Sequence, residues 1–192
     1  MAERGNPRIV VGVVAASDVS GSRFRDFTPT SDSSVPRVTG GAAVFSRFVS
    51  EELVPFVDAR YATAPDERAL MGHSLGGLFA VYQFLVQTRD AQTFTHIAAA
   101  SPSLWWDGGS VFDLEQEVAA ANTRTPAELF LSTSTLESAD IVLHTQELGA
   151  RLDEGAHYEG LRWTHRSYPA TGHGWSWEKA YPDALEFFDG AE

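Results

Sequence analysis

One pentapeptide in this 192-residue chain has the residue types and spacing of an activated serine. Gly72-His73-Ser74-Leu75-Gly76 matches G-x-S-x-G, in which a sharp strand-to-helix turn projects the serine hydroxyl above a sheet. The two glycines are expected to let the neighbouring backbone pass without a Cβ clash. The helix that follows directs free N–H groups at the serine, so the amide of Leu75 is the expected oxyanion donor. The motif predicts acyl chemistry with Ser74 as nucleophile.

A serine hydroxyl is a weak nucleophile and needs an adjacent base. His173, in Gly172-His173-Gly174, follows the last predicted strand and lies downstream of the serine. The chain order serine, acid, histidine places the base there. We expect His73 to point away from Ser74 and to pack or hydrogen-bond. The other histidines are expected on strands or near a surface helix: His96, His144, His157 and His165.

An acid that fixes the tautomer of the base is expected after a short strand at 129–132. Glu137 and Asp140 both lie there, and we favour Glu137 because Asp140 has the position of a helix N-cap or first-turn residue. A serine–histidine dyad without an acid stays open as an alternative.

Two adjacent tryptophans, Trp105 and Trp106, follow another predicted strand. Neighbouring side chains cannot both point into one face of a sheet, so one of the two is expected to line the substrate pocket. The alternative interpretation is a packed loop.

Strands and helices alternate along the chain, as they must to position these residues. Apolar runs predict strands at 9–15, 68–72, 94–100, 129–132 and 161–168, and helical spacing predicts helices at 41–61 (kinked at Pro55), 75–86, 111–121, 140–152 and 180–188. Residues 17–38 are polar and aperiodic, which predicts a long loop. The pattern indicates an α/β fold, with a mostly parallel sheet covered on both faces, and a single domain over 1–192.

The composition excludes several classes of function. With 14 Lys and Arg against 26 Asp and Glu, the net charge is −12, so nucleic acid and anionic membranes are poor partners. The absence of cysteine excludes a thiolate nucleophile and a Cys-ligated metal, and no metal or cofactor is expected. The run at 9–15 resembles a secretory signal less than a buried strand, and we expect a cytoplasmic location.

Three motifs in order carry a resemblance to a known family: Arg-Phe-Arg-Asp-Phe-Thr-Pro-Thr at 23–30, Gly-His-Ser-Leu-Gly-Gly-Leu-Phe at 72–79 and Ser-Pro-Ser-Leu-Trp-Trp-Asp at 101–107. Together they resemble the esterase family of α/β hydrolases that includes esterase D and the siderophore trilactone esterases. The resemblance implies an α/β-hydrolase fold and hydrolysis of a small-molecule carboxylic ester. It matches Ser74 to the family nucleophile, His173 to the family histidine and Glu137 to the usual acid position.

The resemblance also implies that this sequence lacks the first strands of the family fold. Residues 9–15 match the fourth family strand, and the third would lie between them and 68–72 in the sheet. The turn after that third strand helps to form the family's oxyanion hole, so the rate is expected to be low. Two further hypotheses follow: an inactive relative that serves as an interaction domain, and an acyltransferase that uses the same serine.

Overall fold

The computed structural model describes residues 7–14, 19–87, 92–121, 127–154, 158 and 160–190. Within them, parallel strands form one sheet in chain order: β1 (Ala69–His73), β2 (His96–Ala100), β3 (Glu128–Leu136) and β4 (Arg162–Gly172). The predicted strands at 68–72, 94–100, 129–132 and 161–168 are confirmed, and β3 and β4 extend further at their carboxyl ends. Parallel neighbours need a crossover connection, so the segments between these strands pass over a face of the sheet.

Helices precede β1, connect the strands and follow β4. Before β1 the chain forms α1 (Val19–Phe27), α2 (Ala42–Arg47), a π-helical segment (Phe48–Leu53) and α3 (Val54–Asp58). The connections contain α4 (Leu75–Val86), α5 (Val111–Ala120) and α6 (Ala139–Glu154), and α7 (Ser176–Phe188) follows β4. The predicted helices at 75–86, 111–121, 140–152 and 180–188 are confirmed. No helix of the described chain combines the length and the apolar character that crossing a membrane requires.

The alternation of side chains along the strands divides the core into two layers. On β2 and β3, Ile97, Ala99, Leu129 and Leu131 belong to the apolar cluster formed with α4, α5 and α6. The intervening residues Ala98, Ala100 and Phe130 face Ala180, Ala184 and Phe187 of α7. Successive strand side chains point to opposite faces, so a strand buried on both faces is apolar throughout. The predicted helices on both faces of a parallel sheet are therefore confirmed.

Residues 7–14 differ from the prediction of a strand at 9–15. They have no strand pairing, and their valines are exposed, Val10 by 89% and Val14 by 79%; Ala15 lies outside the described residues. A strand needs a neighbouring ladder to satisfy its backbone groups, and in the described part of the chain β1 is paired only with β2. The prediction of a strand is wrong here because an apolar run specifies burial only when a partner is present.

The sequence predicts a loop over 17–38, but residues 19–27 of this segment form α1. Two phenylalanines three residues apart, Phe24 and Phe27, pack on the core cluster, and Phe27 meets Phe79 of α4 with ring centroids 5.7 Å apart. The hydroxyl of Thr28 donates to the carbonyl of Phe24 (2.7 Å) and ends the helix. Tertiary packing of two aromatic rings thus outweighs a polar local sequence.

The predicted helix at 41–61 forms over 42–58, but its centre is a π-helix. There the amide of Val54 donates to the carbonyl of Val49, five residues back. The next residue, Pro55, has no N–H and would clash with a regular preceding turn. A wider turn accommodates the proline, so the expected irregularity at Pro55 takes the form of a π-helical segment just before it.

Candidate active site

The sharp turn at Ser74 joins the end of β1 to the start of α4. Its backbone has φ 62° and ψ −119°, a conformation that costs a non-glycine residue about 1–3 kcal/mol. The Ser74 amide donates to the carbonyl of Ala100 (3.0 Å), and its carbonyl accepts from the amide of Ser103 (3.1 Å). Hydrogen bonds from the carboxyl end of β2 therefore hold the turn in its strained conformation.

The glycines of the motif do not contribute equally. A Cβ at Gly72 would lie 1.9 Å from the carbonyl oxygen of Gly76, whereas a Cβ at Gly76 would meet only a ring carbon of Phe27 at 3.9 Å. A Cβ at the next residue, Gly77, would lie 3.0 Å from the Cα of Pro102. The expectation of a steric need at Gly76 is wrong: the close approaches of backbone occur at Gly72 and Gly77.

A bulge in β4 brings the predicted base beside the predicted acid. Ser134 pairs with Tyr168, but Leu136 pairs with Gly172, so β4 has extra residues around Ala170, which has φ 52°. The residues that follow Leu136 and Gly172 are Glu137 and His173. The bulge therefore sets the register that makes these two side chains neighbours.

A continuous hydrogen-bonded chain connects three of the predicted site residues. His173 Nε2 lies 2.9 Å from Ser74 Oγ, and His173 Nδ1 lies 3.1 Å from Glu137 Oε1. A carboxylate only accepts, so Nδ1 carries the proton and Nε2 accepts from the serine hydroxyl. This protonation pattern is the one in which a histidine can remove the serine proton.

The carboxylate of Glu137 is fully buried and well satisfied. Its Oε2 accepts from the amide of Ser134 (2.8 Å). Burial alone would raise the pKa of Glu137, but the hydrogen bonds from His173 and the Ser134 amide, the neighbouring Ser101 hydroxyl and the charge of His173 lower it below its usual value. Glu137 is therefore ionised at neutral pH. Asp140, the other candidate acid, lies in the first turn of α6 and lines the pocket without an ion pair to His173 among the described contacts.

A second serine contacts the nucleophile, and the sequence analysis did not single it out. Ser103 Oγ is 3.3 Å from Ser74 Oγ, and the residue is buried. Because the proton of Ser74 is directed at His173, Ser103 is the donor in this weak hydrogen bond. The signal in the sequence was the position of Ser103 just after β2, since the carboxyl ends of adjacent parallel strands meet at the same edge of the sheet.

Leu75 is the first residue of α4, and Trp105 faces the same site. Because Leu75 directly follows Ser74, its amide lies beside the nucleophile. The first N–H groups of a helix have no intrahelical partner, so this amide is not used within α4. Trp105 is 41% exposed and lines a pocket of about 450 Å³. The other lining residues are Ser74, Ser103, Leu136, Glu137, Ser138, Asp140, Ile141 and His173.

Trp106 does not share this pocket. It is only 2% exposed, its indole N–H donates to the carbonyl of Thr30 (3.3 Å), and its ring packs 5.9 Å from that of Phe24. Of the two tryptophans, one of which is expected to line the substrate pocket, Trp105 does so. Trp106 is not a candidate substrate contact, because adjacent side chains point in different directions and the second tryptophan belongs to the core.

The remaining histidines have other surroundings. His73 hydrogen-bonds to the backbone of His173, His96 stacks edge-on against Phe188, and His165 contacts Thr133. His144 lies on α6, and His157 lies outside the described residues. Across the described residues, no group of three His, Asp or Glu side chains is arranged to hold a metal ion.

Comparison with known proteins places the chain in a family. Residues 3–188 match the family model described as "Putative esterase". The ferri-bacillibactin esterase BesA of Bacillus subtilis (strain 168) is 36% identical over 112 residues, which cover 53% of this chain and 38% of BesA. The match therefore spans well under half the length of that relative.

Solved structures show the same fold. The BES protein from Bacillus cereus matches with a TM-score of 0.80 and 26% identity, over 91% of this chain and 66% of that one. An IroE-like serine hydrolase from Shewanella oneidensis matches with a TM-score of 0.75 and 26% identity, over 87% of this chain and 57% of that one. The fold is that of the α/β-hydrolase esterases, and this chain belongs to the family described as "Putative esterase".

Proposed function

We propose that this chain hydrolyses carboxylic esters through an acyl-enzyme intermediate, with Ser74 as nucleophile, His173 as base and Glu137 as the acid that orients the base. The observation that carries the proposal is the hydrogen-bonded chain from Ser74 Oγ through both nitrogens of His173 to Glu137. Each member comes from the carboxyl end of a different strand, which is where α/β enzymes assemble their sites.

The proposed reaction uses these groups in two half-reactions. His173 Nε2 removes the Ser74 proton while Oγ forms a bond to the ester carbonyl carbon, and the Leu75 N–H stabilises the negative oxygen. The tetrahedral species then expels the alcohol, which takes the proton from His173. Water attacks the acyl-enzyme with the same base, releasing the acid and restoring Ser74. Glu137 stays ionised and stabilises the imidazolium in both steps.

The substrate class that we propose is a siderophore ester, as the name of BesA describes for that protein. An open pocket of about 450 Å³ beside Ser74, with Trp105 and Leu136 on its wall, suits an ester with a bulky apolar or aromatic acid portion. We also propose that residues 1–192 form one domain, since the family match extends from residue 3 to 188. The cytoplasmic location expected from the sequence is likewise a proposal.

Covalent labelling tests the nucleophile directly. The wild-type protein is treated with a fluorophosphonate, and the adduct is measured by intact mass and located by peptide mapping. We expect one adduct, on Ser74, and none in Ser74→Ala. The matched control Ser33→Ala, which removes an exposed loop serine, should label like the wild type.

Turnover of a short-chain nitrophenyl ester gives the second measurement. Ser74→Ala should lower kcat by about 10⁴- to 10⁶-fold, because the covalent route is lost. Ferri-bacillibactin and a simple nitrophenyl ester can then be compared by kcat/KM. An adduct or full turnover that persists in Ser74→Ala would contradict the proposal.

A further inference from the structure

The side chain that precedes the nucleophile reaches the backbone of the proposed base. His73 is the last residue of β1, and its Nε2 lies 2.8 Å from the carbonyl oxygen of His173. The two imidazole rings are neighbours, with centroids 4.6 Å apart at an interplanar angle of 41°. We call the turn at Ser74 the nucleophile turn and the turn His173–Trp175 the histidine turn. A contact between residues 100 positions apart in the sequence therefore joins the two turns.

The hydrogen-bond partner of His73, the carbonyl oxygen of His173, determines which imidazole nitrogen of His73 carries the proton. A carbonyl oxygen can only accept, so the Nε2 of His73 carries the hydrogen and donates it. Burial, followed by the positive charge of a protonated His173, lowers the pKa of His73 below its usual value. His73 is therefore neutral at neutral pH, and it adds no like charge beside the imidazolium that forms on His173 during turnover.

The His173 carbonyl also accepts from Ser176, through both the backbone N–H and the hydroxyl of that residue. Ser176 Oγ donates to it over 3.1 Å, from the start of α7, and Ser176 in turn accepts from Ser101. These two hydrogen bonds, from Ser176 to His173 and from Ser101 to Ser176, connect the histidine turn to α7 and to the end of β2. The contact with His73 ties it directly to the turn that carries Ser74, whose position relative to His173 decides the proton transfer.

We propose that His73 is a positioning residue: its Nε2–H holds the backbone of His173 against the nucleophile turn so that the His173 imidazole faces the Ser74 hydroxyl. The inference rests on the proposed function and deepens it. A displacement of about 1 Å in a reacting group can lower a rate by about 10²-fold. Loss of this hydrogen bond should therefore affect kcat, while the pocket that binds the ester keeps its lining residues.

Three variants separate positioning from general stability. His73→Leu removes the donor and fills the space with an apolar side chain, whereas His73→Gln places an amide N–H close to the position of Nε2. His165→Leu is the matched control, because His165 is another partly buried strand histidine whose pKa burial lowers, and its hydroxyl partner is Thr133. Each variant is measured for kcat, KM and melting temperature with a nitrophenyl ester.

We expect His73→Leu to lower kcat by about 10- to 100-fold with KM within about twofold of the wild-type value. His73→Gln should recover kcat to within about fivefold, and His165→Leu should keep the wild-type kcat. A folded His73→Leu protein with wild-type kcat would overturn the inference, as would a His73→Gln protein as slow as His73→Leu.

Imidazole ¹⁵N NMR tests the same contact without turnover, so failure of the esterase proposal and failure of this inference stay distinguishable. In the wild type, His73 should carry its proton on Nε2. In His73→Leu the His173 signals should shift or broaden, and in His165→Leu they should stay unchanged. A proton on His73 Nδ1 alone, or His173 signals that are identical in His73→Leu and wild type, would overturn the inference even in a protein with no ester-hydrolysing activity.

Discussion

The carboxyl end of the sheet and the segment 7–14 contrast sharply. At the sheet end, the side chains of the proposed site are hydrogen-bonded to one another, and Glu137, though fully buried, accepts from His173 Nδ1 and from the Ser134 amide. In the segment, apolar side chains have no strand partner, and Val10 is 89% exposed. The site is thus ordered by β1 to β4 and the helices between them, independently of the segment 7–14.

The contrast separates two halves of the proposed chemistry. Glu137 and His173 follow β3 and β4, on one side of the nucleophile, and the hydrogen-bonded chain from Glu137 through His173 to Ser74 is complete. On the other side of the nucleophile, the edge of β1 that faces away from β2 has no strand partner within the described residues. Among the described residues, the proposed oxyanion donor is the amide of Leu75, at the start of α4.

Among the variants that test this contrast, the largest effect is expected from a substitution of Glu137. Glu137→Gln keeps the size of the side chain but can donate to His173 Nδ1, which favours the wrong tautomer. We expect kcat to fall by about 10³- to 10⁴-fold with little change in KM. The measurement is steady-state turnover of a nitrophenyl ester, with Asp140→Asn as the matched control; a larger loss in Asp140→Asn would assign the acid to Asp140 instead.

A comparison of the wild type with Glu137→Gln also tests the charge of Glu137. Its folded pKa is lowered from the usual value, so its ionised form stabilises the fold above the unfolded pKa of about 4.3. That contribution disappears as the pH falls through the folded pKa. The free energy of unfolding, measured with urea from pH 7 to pH 3, should therefore fall more steeply below about pH 5 in the wild type than in Glu137→Gln.

A second substitution pair tests how tightly the nucleophile turn is packed. Gly72→Ala places a Cβ 1.9 Å from a backbone oxygen, whereas Gly76→Ala meets open space apart from one ring carbon. We expect Gly72→Ala to lower the unfolding free energy by about 3 kcal/mol or more, or to prevent folding. Gly76→Ala should be neutral or stabilising by up to about 1 kcal/mol. The unfolding free energies of both variants are measured by urea denaturation. Equal losses in Gly72→Ala and Gly76→Ala would contradict the packing described for the turn.

The smallest effect is expected in the exposed segment. Val10→Ser should change the unfolding free energy by less than about 0.5 kcal/mol and leave turnover unchanged, because the side chain contacts little. Leu131→Ala, in the fully buried part of β3, is the contrasting variant and should cost about 2–5 kcal/mol. If Val10→Ser proves as costly as Leu131→Ala, the segment is packed in a sheet and the contrast between the two regions fails.

The sequence predicted the features that depend on local pattern. The strand, turn and helix around Ser74 follow from apolar periodicity and glycine placement, so their bounds agree with the structure within about one residue. The run at 9–15 has the same local pattern as a buried strand, but its pairing depends on distant backbone. Likewise, α1 is stabilised by contacts with Phe45 and Phe79, which local polarity does not encode.

The arrangement within the site needed the structure for a related reason. Sequence position left both Glu137 and Asp140 open as the acid, because the choice depends on the bulge that pairs Leu136 with Gly172. The contacts of Ser103 with Ser74 and of His73 with His173 join residues 29 and 100 positions apart. Such pairs follow from strand order and register, which a single sequence specifies only indirectly.

The backbone conformation of Ser74 bears on how such a chain persists under selection. With φ 62° and ψ −119°, this position favours glycine, and a glycine there would relieve a strain of about 1–3 kcal/mol. A protein retained only for its surface would be relieved of that strain and would lose only the hydrogen bonds of the Ser74 hydroxyl to His173 and Ser103. A serine at this position therefore sets a stability–activity trade-off, which favours a working hydrolase over an inactive interaction domain.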